Sequence, residues 1–261
     1  MNPWNIIAIQ PMTNVLIVLS SVLFNNIGLA IIALTIIINA AMLRLTLKQV
    51  RVSKVMQGIQ PKMAELKRKY AKDKERLSKE QMQLYKDSGV SPTGCIVPML
   101  IQMPVWIALY QSIIRLLGAT PEDFLGLPQL LYSWPVVYSS LPLVKEFLWL
   151  NLGAPDIVLA FLVGGAMFVQ QKMTSTPGVA QQSSMMLWMM PIMFGYITLL
   201  LPSGLALYWV TSSLIRIGIQ YAVGGAGGLI PPGVAKRFSR NDKRDEKRDD
   251  KYKKRIERST K

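Results

Sequence analysis

The stretch from Gly28 to Leu47 runs for twenty residues with polar or charged side chains only at Thr35, Asn39, Arg44 and Thr46. As a helix it is long enough to cross the ~30 Å core of a bilayer. Four more apolar stretches follow, at 95–117, 156–172, 185–201 and 203–223. The pattern predicts an all-α membrane protein with five transmembrane helices. Pro98 and Pro104 interrupt the second, where neighbouring helices can satisfy the freed backbone groups. The third and fourth are short. Apolar runs of 15 to 17 residues at ~1.5 Å each span about 22–25 Å, a mismatch that local thinning of the bilayer would meet.

The segments between the spans differ sharply in character. Residues 1–27 contain Pro3, Pro11 and the run VLIVLSSVLF, too short to span and ended by Asn25-Asn26, which predicts an interfacial helix on the outer surface. A sixth span there would strand the basic loop on the wrong side of the membrane. Over 48–94 the composition becomes charged, with Met56, Ile59, Met63, Leu66 and Tyr70 at helical spacing. That predicts an amphipathic helix, a break at Lys72-Asp73-Lys74, and a second helix opened by a capping box from Ser78 to Gln81. The result is a cytosolic helical hairpin, either a docking arm or simply a solvated loop. Residues 118–155, with five prolines, Trp134 and Trp149, predict short interfacial helices on the outer side. Residues 173–184 form a cytosolic loop, and Pro202-Ser203-Gly204 a tight outer turn. The glycines from Gly224 end the fifth span before a tail over 224–261.

Polar positions inside the spans are the candidates for function. At ~100° per residue, Thr35, Asn39 and Thr46 fall close to one face of the first helix, with Gly28 on the same stripe. Arg44 lies about 140° from Asn39. An uncompensated amide in hydrocarbon is costly, so this face should meet other helices or a wet cavity. The fifth span has a second stripe: Trp209, Ser212 or Ser213, Arg216 and Gln220. Arg216 is a functional candidate because charge within a span is expensive, the alternative being that it snorkels to the inner headgroups. Arg44, nearer the inner face, is the secondary charge candidate and snorkels more readily.

Charge fixes the expected orientation. The net charge of +15 is concentrated in residues 44–94, with 13 Lys+Arg against 5 Asp+Glu, and in residues 236–261, with 13 against 6. The positive-inside rule places both in the cytoplasm, so an odd number of spans separates an outer N-terminus from an inner C-terminus. The tail, including Lys236, Arg237, Arg240, Lys243, Arg244, Lys253, Lys254 and Arg255, is too polar to build a core. It would be drawn to ribosomal RNA or anionic lipid. The first 43 residues are uncharged, so no secretory signal peptide is expected. With no histidine and Cys95 the only cysteine, His-based acid–base catalysis, thiol-pair redox chemistry and zinc clusters are excluded. Neither an enzyme nor a cofactor is expected. A channel or small-solute transporter would also line its path with polar stripes, but no inverted repeat and no acidic residue within the spans supports coupled transport.

Several stretches together resemble the YidC/Oxa/Alb membrane protein insertases: GLAIIALTIII at 28–38, LTLKQ at 45–49, QPKM at 60–63, GVSPTGCIVPMLIQMPVWIALY at 89–110, FVQQKM at 168–173 and PSGLALYW at 202–209. The resemblance covers nearly the whole chain after residue 10. It implies an insertase and chaperone for nascent membrane proteins, located in a bacterial-type plasma membrane and acting without ATP. It further implies a hydrophilic groove open to the cytoplasm and lipid and closed toward the outside, with the ribosome as a partner; action alone or beside the Sec translocon are both open to it, and a monomer is a plausible working unit. Groove and substrate-contact positions would be Thr35, Asn39, Thr46, Gln102, Trp209, Ser213, Arg216 and Gln220. The family usually places an arginine where this chain has Asn39, and a proline where it has Arg44. Arg216 is therefore expected to supply the groove charge from the fifth helix.

Overall fold

Asn26 fixes where the second helix begins. A π-helical turn, Asn5–Ile9, runs into α1 (Gln10–Val22). Phe24 and Asn25, at φ 58° and 57°, then turn the chain. The Asn26 side chain accepts the Leu29 N–H at 3.1 Å and caps α2 (Ile27–Ala41), satisfying one of the donors a helix start leaves open. The computed structural model describes residues 2–89, 96–117, 127–139, 143–174 and 182–225. Cys95 and the basic tail lie outside the described residues.

The first helix does not run straight to Leu47. It breaks at Met42, and α3 (Leu43–Gly58) leaves at 64°. Three side chains donate back to carbonyls one turn earlier: Thr35 Oγ1 to Ile31 O at 2.6 Å, Asn39 Nδ2 to Thr35 O at 2.8 Å and Thr46 Oγ1 to Met42 O at 3.1 Å. Such back-bonding competes with the helical ladder and favours a bend. Beyond Ile59, α4 (Gln60–Lys69) restarts with proline in its first turn, a position that needs no donor. The second hairpin helix, α5 (Lys74–Asp87), starts earlier than the capping-box reading predicts. Asp73 accepts the Arg76 N–H at 3.0 Å, so the aspartate caps the helix and Ser78 lies inside it.

The remaining elements are α6 (Ile96–Leu117), a 3₁₀ turn (Leu127–Leu130), α7 (Pro135–Ser139), α8 (Ile157–Thr174), α9 (Gln182–Thr198) and α10 (Ser203–Gly224). The segment between α6 and α8 also holds a small antiparallel hairpin, β1 (Glu146–Phe147) with β2 (Leu150–Asn151), where short helices alone are predicted from sequence. The hairpin turns through Leu148 at φ 58°. Its Phe147 ring presses on Gly28, where an added Cβ would overlap it. Gly28 thus serves close packing at the start of α2.

By length and composition, Asn5–Val22, Leu100–Leu117 and Ile157–Thr174 are long and apolar enough to cross a membrane, with a fourth if α2 and α3 count as one broken span. The Asn5–Val22 helix is longer than the apolar run at 15–24 because Pro11 falls in the first turn of α1, where it does not stop a helix. α10 is the hub, packing against α2, α3, α6 and α8. The buried core gathers at one end of the bundle: Ile27 to Leu34 of α2, Leu109 to Leu117 of α6, Leu159 and Val163 of α8, and Leu205 to Trp209 of α10. The loops before α8 and α10 close this end. Ser203 and Gly204 donate their N–H groups to Ala154 O and Leu152 O at 2.8 and 3.0 Å.

Asn14 locks the segment around Leu130 to α1. Its Nδ2 donates to Leu130 O at 2.7 Å in a buried setting, and its Oδ1 accepts the Tyr132 N–H at 2.9 Å in a partly buried one. Replacing it with alanine leaves both backbone groups unpaired, at about 1–3 kcal/mol each. Asn14→Ala should lower the thermal unfolding midpoint in detergent and speed proteolysis near 127–132, whereas unchanged values of both would refute the lock.

Candidate functional site

Polar side chains from several helices converge at the opposite end of the bundle, beneath the hairpin. A cavity of about 420 Å3 is lined by Thr46, Gln49 and Ser53 of α3, by Gln170 and Thr174 of α8, and by Arg216 and Gln220 of α10. The hairpin supplies its apolar wall through Met56, Ile59, Met63 and Tyr85. The stripe that makes the hairpin amphipathic therefore covers this cavity. Gln57 ties α3 to the last turn of α8, its Nε2 donating to Met173 O at 3.1 Å and to Thr174 O at 3.3 Å. A second cavity of about 250 Å3 lies further into the bundle, among Gln102, Trp106, Tyr208, Trp209, Ser212 and Ser213. Gln49, Gln170 and Arg216 line both.

Arg216 stands where the two spaces meet. Eight residues separate it from the end of α10, which puts it about 12 Å in from that end. Its Nη2 donates to Gln102 Oε1 at 2.8 Å. Gln102 in turn donates to the Tyr208 hydroxyl. The guanidinium Nε is buried without a partner among the described residues. No carboxylate pairs with Arg216 there either, because the described ion pairs, Arg76 with Asp73 and Lys79 with Glu75, both lie on the exposed hairpin. The chain thus holds a cation inside the bundle on neutral partners alone, with donors to spare. An arginine fork in this setting is matched to an incoming carboxylate.

Aromatic rings form the floor of the smaller cavity. Trp106 and Trp209 lie 5.1 Å apart by centroid, and Phe194 meets Trp209 edge-on at 5.5 Å. Below them the apolar core begins, so the polar space ends against packed side chains.

The structure brings Thr46, Gln102, Trp209, Ser213, Arg216 and Gln220 to the cavity walls. Thr35 and Asn39 are buried between helices and line neither cavity. Asn39 Nδ2 reaches across to Ser212 Oγ at 3.3 Å, one turn from Arg216. Arg44 is exposed. Gln49, Ser53, Gln170, Thr174 and Tyr208 also line the site, which the two-stripe reading misses. Gln49 ends LTLKQ, Gln170 sits in FVQQKM and Tyr208 in PSGLALYW, so the signal lay in the motifs. The tail residues Lys236, Arg237, Arg240, Lys243, Arg244, Lys253, Lys254 and Arg255 lie outside the described residues.

A polar space walled by helices and sealed at one end invites comparison with known membrane proteins. The model of the family described as 60Kd inner membrane protein matches residues 18–226. The chain belongs to this family. Among its relatives, the membrane protein insertase YidC of Oceanobacillus iheyensis is 34% identical over 82% of this chain and 81% of its own length. That of Fusobacterium nucleatum is 38% identical over 76% of this chain and 86% of its own. The YidC of Syntrophus aciditrophicus is longer: at 40% identity the match spans 76% of this chain but 33% of that protein. Among solved structures, an active YidC insertase with its first transmembrane domain resolved superposes with a TM-score of 0.56 at 24% identity, over 78% of this chain and 43% of that one. It shares the helical fold of this 60Kd inner membrane protein family member.

Proposed function

We propose that this chain is a membrane protein insertase whose groove carries its charge on α10, at Arg216. The observation that supports this most is a guanidinium at the junction of two cavities, held among the described residues by the neutral Gln102 side chain. The relatives' names favour insertion over a solute channel. On this reading the polar tail of a nascent membrane protein enters the space beneath the hairpin, while its apolar segment moves along the outer helix faces into lipid. Carrying a charged residue to the bilayer centre costs about 2.5–3.5 kcal/mol on insertion scales. Each fully buried apolar side chain of the client returns about 1.5–3 kcal/mol. A client with a long apolar segment and few charges can therefore insert without ATP, and the groove lowers the barrier by solvating the charges on the way.

In this reading the hairpin and Lys236–Lys261 face the cytoplasm, and the packed end with its loops faces outward. The tail adds long-range attraction for a ribosome. Asn39 acts as a strut between α2 and α10, its amide spent on Thr35 and Ser212.

In proteoliposomes, Arg216→Leu should cut insertion of a single-spanning client with an acidic translocated tail by about tenfold or more, equivalent to ~1.4 kcal/mol. Insertion of a neutral-tailed client should stay within about twofold. Equal insertion of both clients by Arg216→Leu, together with an acidic-tail gain in Asn39→Arg, would instead assign the charge site to α2. Removing residues 236–261 should weaken co-sedimentation with ribosomes at low salt, and unchanged co-sedimentation would remove the tail from the proposal.

A further inference from the structure

A second concavity lies outside the groove, on the far face of α8. There α8 and α9 run antiparallel and approach closely at Gly164 and Gly195: a Cβ on Gly164 would stand 3.3 Å from Pro191 O, and one on Gly195 3.4 Å from Ala160 O. This contact leaves a furrow of about 490 Å3 along the helix pair. Its walls repeat at helical spacing, from Ile157 and Phe161 past Gly165 to Phe168 on α8, and from Leu199 back to Trp188 on α9. Apart from backbone, it offers almost nothing polar. Phe161, Trp188, Ile192 and Tyr196 are all largely exposed.

One end of the furrow is charged. Phe168 and Trp188 close it, with ring centroids 4.8 Å apart. One turn further along the same stripe, Lys172 Nζ stands 5.9 Å over the Phe168 ring. This end also carries the Gln57 link to α3, so it lies on the side of the basic hairpin. A long apolar slot with an ammonium at one mouth matches an acyl chain joined to an anionic headgroup. The volume lies within the ~300–1,000 Å3 of ordinary ligand sites. A whole helix, ~10 Å across with its side chains, is too thick to enter it.

We infer that the α8–α9 furrow is a binding site for one anionic phospholipid, with an acyl chain along Gly165 and the headgroup phosphate at Lys172. The site is separate from the groove and does not depend on what the groove carries. Lysine near a membrane surface attracts anionic lipid electrostatically, and the furrow adds apolar burial of the chain.

The test uses the full chain in nanodiscs, with phosphatidylglycerol or phosphatidylcholine bearing a photoactivatable acyl chain, and maps the crosslinked peptides. Phosphatidylglycerol should label 157–168 and 188–199 in preference to other lipid-facing helices, and unlabelled phosphatidylglycerol should compete. Lys172→Gln should reduce the preference over phosphatidylcholine about fivefold. Gly165→Leu provides a variant that should fold, since a Cβ there meets nothing within 4 Å. It should fill the furrow and abolish the focused labelling. Labelling spread evenly over all exposed helices would overturn the site. So would equal labelling by the two lipids, or focused labelling that survives Gly165→Leu.

Discussion

A guanidinium inside a bundle of apolar helices sets the terms for everything around it. An arginine in hydrocarbon must be solvated, paired or displaced to the surface. Among the described residues Arg216 is not paired with a carboxylate, and it does not stand at the end of its helix. Its partner among the described residues is the Gln102 side chain, itself bonded to Tyr208. The cavities on either side are what make this tenable, because they admit water and leave the remaining donors free. Gln49, Ser53, Gln170 and Gln220 extend the polar lining away from the charge.

The rest of the fold serves that asymmetry. Apolar packing is concentrated toward the end that carries the β1–β2 hairpin, where Asn14, Phe147 and the Ser203–Gly204 amides tie segments distant in sequence to α1, α2 and α10. At the other end packing gives way to the two cavities, roofed by the apolar stripe of the hairpin. The bend at Met42 is what turns α3 toward the roof. A straight helix through Leu47 would carry Gln49 and Ser53 on along the axis of α2. Asn39, in the position where the family usually has its arginine, is consumed in joining α2 to α10.

Much of this was legible in the sequence. The long apolar stretches give α6, α8 and α10, and the spacing of Trp209, Ser213, Arg216 and Gln220 puts all four on the cavity side of α10. The methionine and isoleucine stripe gives the hairpin its covering face. What the sequence hides are features decided by contacts between distant segments. Thr35, Asn39 and Thr46 share one face only if the helix is straight, and their own back-bonding helps bend it. The β1–β2 hairpin involves two residues on each side, too few to show alternation. Gln102 carries no periodic signal of its own, and its role follows from the bond to Arg216.

If the groove charge of this chain resides on α10, reversing it must change which clients insert. In proteoliposomes, Arg216→Glu should still insert a neutral-tailed client, lose the acidic-tailed one and gain a client whose tail carries lysine in place of the acidic residues. If Arg216→Glu and the natural chain rank the three clients identically, the charge that meets the client lies elsewhere and the account fails.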